Sequence, residues 1–144
     1  MHAAARILGL QLRVLHASTE HDFDTVFATL AELRVGGLVI GTDALFSSRS
    51  VQLATLVARD KVPAIFQFRD FVTAGGLMSY GGRVADIYRQ VGVYTGRILK
   101  GEKPDGLPVH QVTKVELFIS LKSATALGLT VPLSLLGRAD EVIE

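Results

Sequence analysis

Apolar residues switch between two spacings along this chain, and the switching predicts alternating strands and helices. Leu10, Leu12 and Val14 recur at every second position, a strand pattern over residues 10–16. Phe23, Val26, Phe27, Leu30 and Leu33 fall at helical spacing, with Thr19 or Asp22 placed to cap the helix and Gly36-Gly37 to stop it. The wholly apolar run 37–41 reads as a strand covered on both faces. Ser47 or Ser48 is placed to cap a helix carrying Val51, Ala54, Val57 and Ala58, which ends before Pro63. Residues 63–68 form a third strand with Gln67 inside it, and Leu77-Met78-Ser79-Tyr80 a fourth, flanked by glycine pairs. The longest helix spans residues 83–100, with Val84, Ile87, Val91, Tyr94 and Ile98 on one stripe and Gly101 closing it. A last strand at 115–121 and a short helix at 122–127, ended by Gly128, precede a loosely helical tail.

Strand–helix–strand–helix–strand with crossovers of this length predicts right-handed βαβ units and a mainly parallel sheet. Such sheets bind ligands beyond the carboxyl ends of their strands. Those ends carry Ser18 and Thr19, then Thr42 and Asp43, then Gln67 and Arg69, then Ser79 and Tyr80. Serines, threonines and aspartates at strand ends also cap the helices that follow. Asp43 stands several residues before the expected helix start, however, and Gln67 inside an apolar strand needs a polar partner.

The 144 residues fit one domain, since roughly 100–200 residues make one. With 49% hydrophobic and 20% charged residues the chain can build a core, which excludes intrinsic disorder. A formal net charge of +1 without a basic cluster excludes an electrostatic nucleic-acid footprint. No apolar run is long enough to span a bilayer. The start, Met1-His2-Ala3-Ala4-Ala5-Arg6-Ile7-Leu8, has no signal-peptide pattern. The absence of cysteine removes disulfides, thiolate metal sites and cysteine nucleophiles together.

Enzyme motifs fail on spacing. The pairs Gly75-Gly76 and Gly81-Gly82 do not make a dinucleotide loop, and residues 96–102 lack the P-loop ending. Ser79 comes near the nucleophile elbow G-x-S-x-G, but Leu77 stands where the first glycine belongs. Its would-be partners, Asp105 and His110, share one proline-rich connector. His16, His21, Asp22 and Asp24 match no metal-ligand spacing. Gly92 and Gly96, four apart on a helix that also bears Arg89 and Arg97, suit close packing between soluble elements. No cofactor or metal is expected.

The segments 37–43, 62–67, 74–81 and especially 92–108 (V-G-V-Y-T-G-R-I-L-K-G-E-K-P-D-G-L-P), with V-E-L-F-I-S-L-K-S-A-T-A-L-G-L-T-V-P and the closing R-A-D-E-V-I-E, resemble one family. They are similar to the C-terminal part of ABC transporter substrate-binding proteins of the tryptophan or aromatic amino-acid type. The resemblance implies an α/β fold, three-layer α-β-α with a mainly parallel sheet, like one lobe of a type I periplasmic binding protein. It implies a chain that starts inside the first helix of the second lobe, with the first lobe absent. Carried over by position, Asp43 would face a ligand ammonium, with Thr42 beside it at the same strand end. Gln67 and Arg69 would line the cleft, and Tyr80 would lie near the hinge. The function implied is uptake of a small amino-acid-like solute, with an ABC permease as partner and a periplasmic location. Without a signal peptide the chain as given would be cytoplasmic. One lobe alone would bind weakly, and the stripe on helix 83–100, deprived of the first lobe, is expected to make a homodimer interface. The alternative is a small intracellular α/β hydrolase using Ser79.

Overall fold

The computed structural model describes residues 1–109 and 114–144. They divide into two compact units, Met1–Arg34 and Val35–Glu144.

The first unit holds α1 (His2–Ile7) and α2 (Asp22–Glu32). Phe23, Phe27 and Leu30, at i, i+4 and i+7, are its buried side chains. Asp22 reaches back to the turn before its helix. Its Oδ2 accepts the Ser18 and Thr19 backbone N–H groups, both at 2.8 Å, and the Thr19 hydroxyl at 3.1 Å. Those bonds, the Thr19 N–H foremost, hold the Asp22 carboxyl below its ordinary value. Two expectations are corrected in this unit. Residues 10–16 form no strand: Leu10 and Val14 stay 64% and 53% exposed, and period-2 spacing makes a strand only where a neighbour supplies the ladder. The helix stops before Gly36, because Arg34 takes the left-handed conformation (φ 49°) and its N–H bonds back to Ala31.

In the second unit five strands lie in sequence order: β1 (Leu38–Val39), β2 (Ala64–Phe66), β3 (Met78–Gly82), β4 (Val115–Ser120) and β5 (Glu141–Ile143). The pairs β1–β2, β2–β3 and β4–β5 are parallel, and β3–β4 is antiparallel. The sheet is therefore mostly parallel, with β4 and β5 running against the first three. The helices are α3 (Ala44–Ser48), α4 (Ser50–Arg59), α5 (Arg69–Thr73), α6 (Val84–Leu99), α7 (Leu121–Ala126) and α8 (Leu133–Leu136). The core collects Leu53, Ala54 and Val57 of α4, Phe71 and Val72 of α5, and Phe66 and Ile119 from the sheet. Phe66 meets Phe68 and Phe71 edge-on at 5.7 and 5.8 Å.

Several details depart from the sequence pattern. The strand at 37–41 shrinks to two residues at the sheet edge, so Val39 is 58% exposed rather than covered. Neither Ser47 nor Ser48 caps the helix that carries Val51, Ala54, Val57 and Ala58: that helix, α4, follows Arg49 with no side-chain cap. Both serines lie inside the separate α3, whose N-cap is Asp43, its Oδ1 accepting the Leu45 N–H at 2.7 Å. The two serine hydroxyls bond back to Asp43 and Leu45 carbonyls within the turn. Gln67 lies just past β2 instead of inside it. The crossover from β2 to β3 contains α5, and the tail contains β5, in stretches too short for a periodicity to emerge. Helix α6 buries none of its sixteen residues. It carries instead its own following loop, through Tyr94 Oη donating to the Pro108 carbonyl and the Arg97–Glu102 pair. No helix among the described residues is long and apolar enough to cross a membrane.

Candidate functional site

The reversal of direction between β3 and β4 brings unlike strand ends to one rim. A cleft of about 440 Å³ opens there. Its walls come from the carboxyl ends of β2 and β3 (Gln67 to Asp70, Gly81 to Ala85) and from the starts of β4 and β5 (Glu116, Phe118, Asp140, Glu141). Register explains the gathering. Gly81 pairs with Glu116 and Phe118 with Glu141, so all four stand on one face of the sheet.

Two arginines are held there as forks on carboxylates. Arg69, the first residue of α5, donates from Nη2 and Nε to the Glu141 carboxylate at 2.5 and 3.3 Å. Its guanidinium also lies 5.4 Å over the Phe118 ring. Arg83, at the turn from β3 into α6, makes the same two-point contact with Glu116. The Arg83 hydrogen bonds hold the Glu116 carboxyl below its ordinary value, with the charges of Arg83 and of Lys114, 3.6 Å away, adding to the effect. Both guanidinium groups are correspondingly raised, each first by its hydrogen bonds to glutamate. Asp140 ties β5 to β4, its Oδ2 accepting the Leu117 N–H at 2.9 Å.

Of the residues expected from sequence, Gln67 and Arg69 line this cleft; Thr42, Asp43 and Tyr80 are not among its lining residues. Thr42 is joined to the site at one remove, its hydroxyl donating to Gln67 Oε1. Gln67 thus has the partner its polarity demands, supplied by the end of the neighbouring strand. Tyr80 points to the opposite face from Ser79 and Gly81 and is 55% exposed. Ser79 is 1% exposed, in mid-strand between Phe66 and Phe118, and its hydroxyl has no partner among the described residues. A nucleophile elbow needs an exposed hydroxyl on a sharp strand-to-helix turn, and Ser79 offers neither. His110, weighed as its partner, lies outside the described residues. Among those residues no cluster of three or more metal-ligating side chains occurs.

Arg83, Glu116, Phe118, Asp140 and Glu141 escaped the sequence reading. Glu116 had a usable signal: a carboxylate inside the apolar run V-E-L-F-I-S needs a cation just as Gln67 needs a partner. The others depend on strand order and direction, which periodicity does not carry.

The family described as ABC transporter substrate binding protein matches residues 1–143. No curated protein matches the chain. Among solved structures, an ABC domain from Streptococcus pneumonia in complex with L-Trp is 25% identical, with a TM-score of 0.88 over 98% of this chain and 49% of its own. A conserved domain protein from Vibrio cholerae gives 24% identity and the same TM-score, over 98% of this chain and 47% of its own. A ligand-free, open substrate-binding protein with adhesive properties from Clostridium difficile gives 20% identity and a TM-score of 0.64, over 99% of this chain and 47% of its own. The chain spans about half the length of the solved structures it matches.

Proposed function

The chain belongs to the ABC transporter substrate binding protein family, and from that premise we propose that its cleft is one wall of the binding site for a small amino-acid-like solute. The observation that carries the reading is Arg69, a two-point donor held over an aromatic ring beside Gln67. A guanidinium fork matches a carboxylate, and the Phe118 ring offers apolar area next to it. A solute carboxylate would displace or share the Glu141 partner. The L-Trp complex of the pneumococcal relative supports an amino acid as the class. By resemblance Asp43 would take the solute ammonium with whatever of its carboxylate the α3 cap leaves available. The whole protein would hand its solute to an ABC permease outside the cytoplasm.

A site of this kind encloses about 70–90% of a small ligand between two walls. One wall leaves much of the solute in water, so the expected affinity of these 144 residues alone is millimolar. An NMR titration with aromatic and aliphatic L-amino acids tests the reading. Saturable shifts at Gln67, Arg69 and Phe118 support it, and a panel that moves none of them overturns it.

Self-association through α6 belongs to the same proposal. Val84, Ile87, Val91 and Ile98 on its stripe are all more than a third exposed, and contiguous apolar patches of several hundred Å² usually mark interaction sites.

A further inference from the structure

We propose that Thr42 is a positioning residue that fixes which end of the Gln67 amide the cleft offers to a solute. The inference rests on the solute-binding reading above. Thr42 follows β1 and Gln67 follows β2, and the parallel pairing of Leu38 with Ala64 and Val39 with Ile65 brings these two strand ends side by side. The Ile40 N–H bonds to the Ile65 carbonyl at 3.0 Å, continuing the ladder up to the rim. There the Thr42 hydroxyl donates to Gln67 Oε1.

A glutamine side chain has one acceptor end and one donor end, and nothing intrinsic decides which faces a ligand. A donor bonded to Oε1 uses the acceptor end and leaves the two N–H groups of Nε2 for the cleft. The backbone beneath is fixed as well. An ideal Cβ on Gly81 would lie 2.3 Å from the Gln67 carbonyl oxygen and 3.1 Å from its Cβ, so β3 runs hard against this residue and only glycine fits there. Gln67 therefore stands beside Arg69 as a second donor, its Oε1 engaged by Thr42. Two adjacent donor groups select an acceptor, so the solute oxygen bound here is a carboxylate or a carbonyl. A thread of residues that never touch the solute, Thr42 and Gly81, would set that preference.

The test uses isotope-labelled chain, L-tryptophan as the probe, and the side-chain NH₂ signals of Gln67 as the readout. In the unsubstituted chain those signals move with the titration. In Thr42→Val, which keeps the shape and removes the donor, they stop responding and affinity falls about threefold to tenfold, the loss of one oriented hydrogen bond. Thr42→Ser restores both. Should Thr42→Val fail to fold, Gln67→Glu replaces it: that side chain accepts from Thr42 yet turns a second acceptor to the cleft, and affinity should fall by at least as much. Cleft backbone signals that move while the Gln67 NH₂ stays still, or unchanged affinity in the substituted chain, overturn the inference and leave the binding site standing. No response anywhere to L-tryptophan overturns the binding reading and this inference with it.

Discussion

Arg83 and Glu116 close a two-point ion pair between the end of β3 and the start of β4, with the carboxylate side chain 6% exposed and the guanidinium half exposed. The pair spans the point where the chain leaves the sheet for α6 and where it returns. Because the Arg83 hydrogen bonds lower the folded-state value of Glu116 below its ordinary 4.5, its contribution is fully present above that value. It fades as pH falls through the lowered folded value, where the native carboxylate finally takes a proton. Melting curves across the acid limb should therefore show stability dropping below about pH 4.5. Glu116→Gln should lower Tm by a few degrees at neutral pH and flatten that limb. An unchanged acid limb would remove the pair as a source of stability.

Gly81→Ala should be strongly felt despite adding one methyl group. The new Cβ would meet the Gln67 backbone at 2.3 Å, and a backbone carbonyl in the rim of a sheet yields little. Overpacking of this kind costs about 1–3 kcal/mol. Denaturant unfolding should show that loss, and the Gln67 amide signals should shift. A neutral result would mean that β2 and β3 separate at their ends more easily than their pairing implies.

Ser79→Ala should leave stability unchanged or raise it by up to about 2 kcal/mol, since it removes a buried hydroxyl that has no partner among the described residues. Generic ester substrates should show no Ser79-dependent turnover. Ester hydrolysis abolished by this substitution would revive the enzyme reading.

Asp43 separates capping from binding. Asn caps a helix about as well as Asp, so Asp43→Asn should keep its thermal stability, whereas Asp43→Ala should lose about 0.5–2 kcal/mol. If Asp43 also faces a solute ammonium, as the family resemblance implies, Asp43→Asn should weaken amino-acid binding at least about tenfold. Equal affinity in calorimetry would leave Asp43 with its cap alone.

Light scattering should show a dimer whose dissociation follows Ile87→Glu, with the sheet signals of Val35–Glu144 unaffected. Ile87 lies on the exposed stripe of α6 and is not part of the buried core. A monomer at high concentration would end the proposal of self-association.

The sequence alone determined what depends on neighbours along the chain. The 3.6-residue spacing in α2, α4 and α6 and the apolar runs of β2 and β4 specify their own structure, because each presents one continuous face to be covered. Glycines closed α6 and α7 where they stood, at Gly101 and Gly128 with positive φ. The parallel β1–β2–β3 order followed from crossover length, and with it the positions of Gln67 and Arg69 at the rim. Tertiary structure decided the rest. Leu10, Leu12 and Val14 carry a strand pattern as regular as any here, yet residues 10–16 form no strand, since backbone pairing is supplied by another segment. Glu141 and Phe118 lie in elements that local pattern hardly marks, and they reach Arg69 only because β4 reverses direction and β5 pairs beside it. That Asp43 caps α3, its carboxylate accepting the Leu45 N–H, also became legible only from the turn between β1 and that helix. Periodicity records which residues share a face, while the partners of a charged group are set by strand order, direction and register across 72 residues of chain, as between Arg69 and Glu141.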